Sequence, residues 1–415
     1  MEQPTRHSLW ALLGLLLLGA CPGEPEIPFV FSGEPGRSVP AEFYSDVPLV
    51  EVVMNSDAPR QFLVDTGAPA TLLDSTVYDR EPGVWTPETL ECLGITVLDQ
   101  PCAVYALFGG ALTVGGILGG DIFRHFALTV DYREAMVTIH DALNGAPPPG
   151  GVEVDEAVSL PFRLLGGGLM PAGEDDLRVA ATRVVIELTL EEHVLYAVLD
   201  TGASALVLSE ELYTTLLDER PDRPVATGFQ VLTVEAAHDM ELTRVARVAL
   251  QGDDTQTAAQ ISVPAMVVHG SGALAALSYE TGQTVDVLLG ASYLRYYRLT
   301  VDYPARRVTL EPYQTPDHVS ETEYVTVGFT YEEEAPGDVV IDAVIPDTDA
   351  DVQGVAIGDR ILMAGGFDIV QTGSAAVDTV ISQSTEGDRI PFTLVRGQTE
   401  TDYDLLVEDL LPPFE

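Results

Sequence analysis

Gln61-Phe62-Leu63-Val64-Asp65-Thr66-Gly67-Ala68 has a counterpart at Tyr196-Ala197-Val198-Leu199-Asp200-Thr201-Gly202-Ala203. In each stretch an apolar, strand-like run leads into Asp-Thr-Gly-Ala. Two carboxyls about 3 Å apart do not both ionise, so one keeps a proton near neutral pH while the other stays charged. Such a pair activates water as a base and polarises a carbonyl as an acid, with no metal, cofactor or covalent intermediate. Asp65 and Asp200 supply the carboxyls. Thr66 and Thr201 carry hydroxyls able to tie the two loops together, and Gly67 and Gly202 permit a tight turn with an N–H beside each carboxylate.

A second pair of blocks follows the first. LGGDIFRHFALTVDYREAMVTI, ending at Ile139, aligns without a gap with LGASYLRYYRLTVDYPARRVTL, ending at Leu310, and Leu-Thr-Val-Asp-Tyr is identical at 128–132 and 299–303. This is an internal duplication. The blocks stand 119 − 65 = 54 and 290 − 200 = 90 residues beyond their aspartates, so the second copy carries 90 − 54 = 36 extra residues, assigned to 221–272. Short β-branched runs bounded by Gly, Pro and Asp fill both copies and predict an all-β fold rich in hairpins.

The doubled Asp-Thr-Gly-Ala, each with its downstream apolar-apolar-Gly at Gly119 and Gly290, resembles the pepsin and retropepsin superfamily of aspartic peptidases. The LGxxxLRxxxLTVDY tail is similar to that of bacterial members carrying a PDZ domain. The resemblance implies a mainly β, bilobal fold of double-ψ β-barrel lobes that pack face to face around a cleft, with Asp65 and Asp200 as the dyad. It also implies that Gly119 and Gly290 lie beneath the catalytic loops, where a side chain would not fit. Pepsins usually have Ser or Thr after the Gly. This chain has Ala68 and Ala203, as retropepsins do, and losing those hydroxyl donors moves the upper pKa of the dyad upward. Activity is therefore expected at mildly acidic pH. A hairpin closing over the cleft is expected between each aspartate and its glycine, at 81–100 or 223–243, with Trp85 or Tyr105 read as core or as substrate contacts.

Arg6 and His7 precede an apolar run from Leu9 to Leu18, too short for a membrane anchor and fitting an export signal over 1–20. Leu18-Gly19-Ala20-Cys21 resembles the lipobox of bacterial lipoproteins, which implies cleavage before Cys21, its lipidation, and a place on the bacterial cell envelope. Residues 21–42, rich in Pro, Gly and Glu, read as a flexible tether. Cys92 and Cys102 remain, expected either as a disulfide within an exported lobe or as two free buried thiols.

The segment 323–415 resembles a PDZ domain. Val327, Gly328 and Phe329 match its carboxylate-binding loop, and 354–366 matches its Gly-Val-Ala-Ile-Gly-Asp-Arg-Ile-Leu stretch. Such a fold takes C-terminal peptides by adding a strand to a sheet edge, or serves as a structural cap. Asp347, Asp349 and Asp351 have the opening spacing of a calcium loop, but Val352 and Gly358 occupy the positions that need Gly and Glu. The expected organisation is a first lobe over 43–142, a linker over 143–156, a second lobe over 157–314, a linker over 315–322, then the PDZ segment.

The formal net charge is −45, with 20 basic residues against 65 acidic ones and no lysine. Phosphate repulsion excludes nucleic acid as a partner, while solubility, salt adaptation or attraction of cationic peptides would each account for the acidity. His-Glu-x-x-His, Gly-x-Ser-x-Gly, phosphate-loop and dinucleotide motifs are absent from the sequence, and no metal is expected. The expected partners are peptide or protein substrates, a C-terminal peptide on the PDZ segment, and a membrane through Cys21. The chain is expected to act as a monomer. The alternative function is a non-catalytic envelope protein that holds peptides in the cleft and the PDZ groove.

Overall fold

A computed structural model describes residues 11–13, 29–110, 112–141, 157–233, 237–253, 256–319 and 324–414. The molecule is mainly β, with two related lobes and a third domain. The strands that open the two lobes, Val47–Met54 and Arg183–Leu190, are of equal length and share one burial pattern, with a single exposed glutamate, Glu51 or Glu187, at the fifth position. Both faces of each strand are thus buried over its first four residues, and the exposed glutamate faces solvent at the fifth.

In the first lobe, Val47–Met54 turns back into Arg60–Val64, the strand that delivers Asp65. Gly116–Leu118 runs parallel to that strand and antiparallel to Leu72–Asp74, which lies parallel to Cys102–Tyr105. The second lobe repeats the arrangement. His193–Leu199 delivers Asp200, Val287–Leu289 runs parallel to it and antiparallel to Leu206–Leu208, and Leu206–Leu208 lies parallel to Thr257–Val268. Pairing of Thr189 with Ala249 and Leu190 with Val248 closes six strands of this lobe into a ring.

A six-stranded sheet joins the lobes, in the order Val158–Pro161, Arg307–Pro312, Tyr297–Asp302, Ala127–Asp131, Met136–His140, Val39–Pro40. At its centre the two Leu-Thr-Val-Asp-Tyr copies pair antiparallel with each other, Leu128 opposite Val301, Thr129 opposite Thr300 and Val130 opposite Leu299. Thr129 and Thr300 stand on the pseudo-twofold axis and join hydroxyls at 2.9 Å. Both lobes and this sheet share one large apolar cluster.

Where the first lobe has short strands over 83–98, the second has long ones. Val225–Thr233 pairs antiparallel with Ala237–Gln251, which pairs along its length with Thr257–Val268. A second hairpin, Gly168–Ala172 with Asp175–Val179, leaves the second lobe and packs Met170, Ala172, Leu177 and Val179 among Ala68, Ala70, Leu72 and Phe108 of the first.

The third domain holds a six-stranded sheet whose main path begins with Phe329–Ala335 at one edge, together with the helices Asp349–Gln353, Ile369–Thr372 and Ser374–Ser382. It has its own core. It docks on the second lobe through Tyr324, Ile345 and Leu411, which join Phe229, Met240 and Met266.

Two expectations are corrected here. The expected tether, 21–42, is not free over its described part, 29–42. Val30–Gly33 pairs with Ile95–Leu98, Val39–Pro40 pairs with Met136 and Val137, and Phe29 and Phe31 pack on His125 and Phe126. Two aromatic rings at its start are enough to bind an otherwise polar segment to the lobe. The expected Cys92–Cys102 disulfide is absent, and both thiols are free and buried. Cys92 ends the strand Thr89–Cys92 and Cys102 opens Cys102–Tyr105 of the same ten-stranded sheet, with its Sγ 3.4 Å from the Gln100 carbonyl. Burial pushes the Cys92 thiol up to about 12 and the Cys102 thiol well above its ordinary value, so neither supplies the thiolate that exchange requires. Of the expected export signal, only Ala11–Leu13 are described, in a strand parallel to Val231–Thr233. Cys21 and the 143–156 linker lie outside the described residues.

Candidate active site

The parallel strands fix where each carboxyl stands. Asp65 N donates to Leu118 O and Asp200 N to Leu289 O, both at 3.1 Å. The loops then turn back on themselves. Gly67 N and Ala68 N donate to Asp65 Oδ1 at 2.7 and 2.9 Å, and Gly202 N donates to Asp200 Oδ1 at 2.9 Å. The two turns face each other closely. A Cβ placed on Gly67 would lie 2.5 Å from Asp200 Cγ, and one on Gly202 would lie 2.4 Å from Asp65 Cγ. Only glycine fits at either position.

The threonines lock the loops together. Thr66 N donates to Thr201 Oγ1 and Thr201 N to Thr66 Oγ1, each at 3.1 Å. Their hydroxyls donate onward across the axis, Thr66 Oγ1 to Leu199 O at 2.8 Å and Thr201 Oγ1 to Val64 O at 2.7 Å. Each threonine is thus held by the opposite lobe. Gly119 and Gly290 lie against the same loops, where a Cβ would come 2.3 Å from Ala70 O or 2.1 Å from Ala205 O. Gly120 N and Ala291 N, one residue on, donate to Ala68 O and Ala203 O.

Both carboxyls are 0 % exposed. Asp65 Oδ2 and Asp200 Oδ2 are buried acceptors with no donor among the described residues, and one proton shared between the carboxyls supplies what both lack. Burial, followed by the charge of Asp200, holds Asp65 well above the ordinary carboxylate range. Burial also pushes Asp200 up to about 6, opposed by its bond to Asp65, the Gly202 N–H and the Arg183 guanidinium. Burial thus raises both carboxyls, and the Arg183 guanidinium acts on the Asp200 side.

Of the two segments expected to form a lid, 81–100 gives short strands bound into the first lobe, with Trp85 covered by Arg80 and the Tyr105 hydroxyl donating to Pro171 O. Residues 223–243 include the long Val225–Thr233 strand and the beginning of its partner. Leu232, near the end of that strand, is 4 % exposed and packs with Ala68 and Ala70 across the cleft. Both segments thus reach the cluster around Ala68 and Ala70, 81–100 through the partly buried Val84 and 223–243 through the buried Leu232. Val327 and Phe329 are buried in the third domain, and Gly328 (φ +86°) accepts at its carbonyl from Ile345 N at 2.9 Å. That loop is remote in sequence from the dyad and belongs to a separate core.

Arg183 and Glu280 escaped the sequence reading. The Arg183 guanidinium donates to Gly67 O and forms an ion pair with Glu280 at 3.0 Å, with side-chain exposures of 0 % and 1 %. Asp121 was also missed. It is a partly buried carboxyl that accepts from Thr71 Oγ1 at 2.8 Å and Gln100 Nε2 at 2.9 Å, and desolvation lifts it to about 6.

No protein-family model matches the chain, and no curated protein matches it. Among solved structures it is similar to an aspartic proteinase from Irpex lacteus, at 13 % identity and a TM-score of 0.45, over 67 % of this chain and 97 % of that one. It is also similar to basic 7S globulin from soybean, at 12 % identity and a TM-score of 0.39, over 71 % and 98 % of the two chains. The structure titled edgp is 10 % identical with a TM-score of 0.42, over 70 % and 98 %.

Proposed function

We propose that the chain is an aspartic endopeptidase that hydrolyses peptide bonds with a water activated between Asp65 and Asp200. The observation that supports this best is the pair of carboxyls held face to face by reciprocal threonine bonds, buried, and with one oxygen each lacking a donor. In the proposed reaction the charged carboxylate takes a proton from water as its oxygen bonds to the substrate carbonyl carbon. The protonated carboxyl gives its proton to the carbonyl oxygen, producing a neutral gem-diol. Collapse of the diol breaks the C–N bond. The nitrogen takes a proton from the dyad and a diol hydroxyl returns one, so an acid and an amine leave and the dyad again holds a single proton.

The dyad is enclosed, so substrate entry requires the lid carrying Leu232 to open. The Leu18-Gly19-Ala20-Cys21 sequence supports a lipid anchor at the bacterial cell envelope. The position of Phe329–Ala335 at a sheet edge supports a PDZ-like role for the third domain in holding a peptide strand.

Cleavage of a mixed peptide library between pH 3 and 8 tests the activity. Asp65→Asn and Asp200→Asn should each lower the rate by about 10³ to 10⁴, the upper range for general acid–base groups. Cleavage that survives either substitution would exclude the shared dyad. Binding of library peptides without cleavage at any pH would favour a peptide-holding protein. Loss of membrane partitioning in Cys21→Ser tests the anchor.

A further inference from the structure

The internal duplication makes the two carboxyls equivalent in position, yet their surroundings differ in charge. The opening residues of the matched strands are Val47 in the first lobe and Arg183 in the second. The hairpin registers agree with this match. Leu49 pairs with Leu63, two residues before Asp65, and Val185 pairs with Val198, two residues before Asp200. Each opening residue therefore stands across its hairpin from its own aspartate, and both are buried.

Arg183 reaches the opposite lobe, where it donates to the carbonyl of Gly67. Gly67 is the residue whose α-carbon is pressed against the Asp200 carboxyl. Behind the guanidinium lies Glu280, on the helix Ala273–Thr281, with Oε2 3.1 Å from Nε and 3.0 Å from the terminal nitrogen. The groups whose charges act on the dyad are Arg183 on Asp200, with Glu280 behind it, and the two carboxyls on each other. The buried tyrosines Tyr132 and Tyr303 lie within their field, with hydroxyls that have no partner among the described residues. Among these groups Arg183 is the only cation that acts on Asp200, and its charge is partly offset by Glu280.

We propose that Arg183 is a positioning residue that gives the two carboxyls unlike roles: held on the Gly67 carbonyl, it places positive charge on the Asp200 side, making Asp200 the base toward water and Asp65 the proton carrier. This rests on the peptidase reading for its chemistry, but the charge assignment is measurable without turnover. Arg183 need not touch substrate to act in this way. Glu280 sets how much of the arginine charge reaches the dyad.

Aspartate carboxyl titration by carbon-13 NMR on the full chain, with Asp200→Asn to assign the signal, tests the proposal alongside the pH profile of peptide cleavage. Arg183→Met should raise the Asp200 midpoint by about one pH unit or more, within the usual range for an opposite charge a few ångströms away. Glu280→Gln should lower it, and Arg183→Lys should fall between Arg183→Met and the parent. The acid limb of kcat/KM should move in the same directions. Opposite shifts are not expected from simple loosening of the fold, which would lower amplitude and leave the midpoints in place. If Arg183→Met does not fold, Glu280→Gln decides, since it keeps the arginine and its bond to Gly67. Midpoints unmoved, or moved in one common direction, would overturn the role of Arg183. A wild-type chain that titrates as expected but cleaves no peptide at any pH would instead overturn the peptidase reading alone.

Discussion

Gly119 and Gly290 have extended backbones, with φ of −114° and −99°, so any residue could adopt their conformation. Space alone demands glycine there. Gly290→Ala would press a methyl carbon into two carbonyl oxygens of the loop that follows Asp200, and an overpacking cost of about 3 kcal/mol is expected, read as a lower urea midpoint at unchanged m. Asp121 makes a separate prediction. Its folded pKa, near 6, lies above that of an unfolded aspartate, so its stabilising effect is complete below the unfolded value and is lost as pH rises through 6. A shift of about two units is worth about 3 kcal/mol, and Asp121→Asn should flatten the fall in stability between pH 4 and 7 relative to the parent. The dyad was readable in the sequence because its motif occurs twice. Arg183 was not readable, because its partner Glu280 lies 97 residues away and no local pattern joins them. Cysteine counting gave an even pair but not the burial that raises both thiols.

At the scale of elements, the lobes share a strand plan and differ in what they add to it. The second lobe supplies the long 225–251 hairpin and also the 168–179 hairpin that packs on the first lobe. The extra length of the second copy was plain from the spacing of its motifs, but its place was not: Thr257–Val268, inside 221–272, is the counterpart of Cys102–Tyr105, and the helix Ala273–Thr281 lies beyond it. The choice between 81–100 and 223–243 as lid was not legible, because both are short β-branched runs. Only pairing over the length of Ala237–Gln251 distinguishes the second. Leu232 is buried in one apolar cluster with Ala68 and Ala70, and in the proposed enzyme it would hold the lid shut. Leu232→Ala should weaken closure by about 2 kcal/mol, the low end for a buried leucine. That corresponds to a fall of about thirtyfold in kcat/KM, with the pH profile unmoved. A shift of the profile would mean that Leu232 affects the carboxyls themselves.

At the scale of the whole molecule, the third domain is fastened to the lid strand as well as to the second lobe. At the irregularity between Ala226 and Phe229, a Cβ on Gly228 would come 2.6 Å from Pro346 Cδ, next to the buried Ile345. Ile345→Asp should break this apolar contact, and small-angle scattering should then show a larger radius of gyration while each part keeps its own core. The net charge of −45 adds a prediction for the molecule as a whole. If the field gathers cationic peptides, kcat/KM for an arginine-rich substrate should fall between 0.01 and 0.5 M salt, while that for a neutral one stays level.

The central seam has a consequence of another kind. Leu128, Thr129 and Val130 meet Val301, Thr300 and Leu299, so the join between the lobes is one that two copies of a single lobe would make with each other. A single-lobe ancestor would have needed no new interface to become the two-lobed part of this chain, only a doubled gene. While the halves were identical, any useful residue had to be tolerated twice. Once they were fused, each half was free to change alone, so that one inherited strand now begins with valine and its twin with arginine.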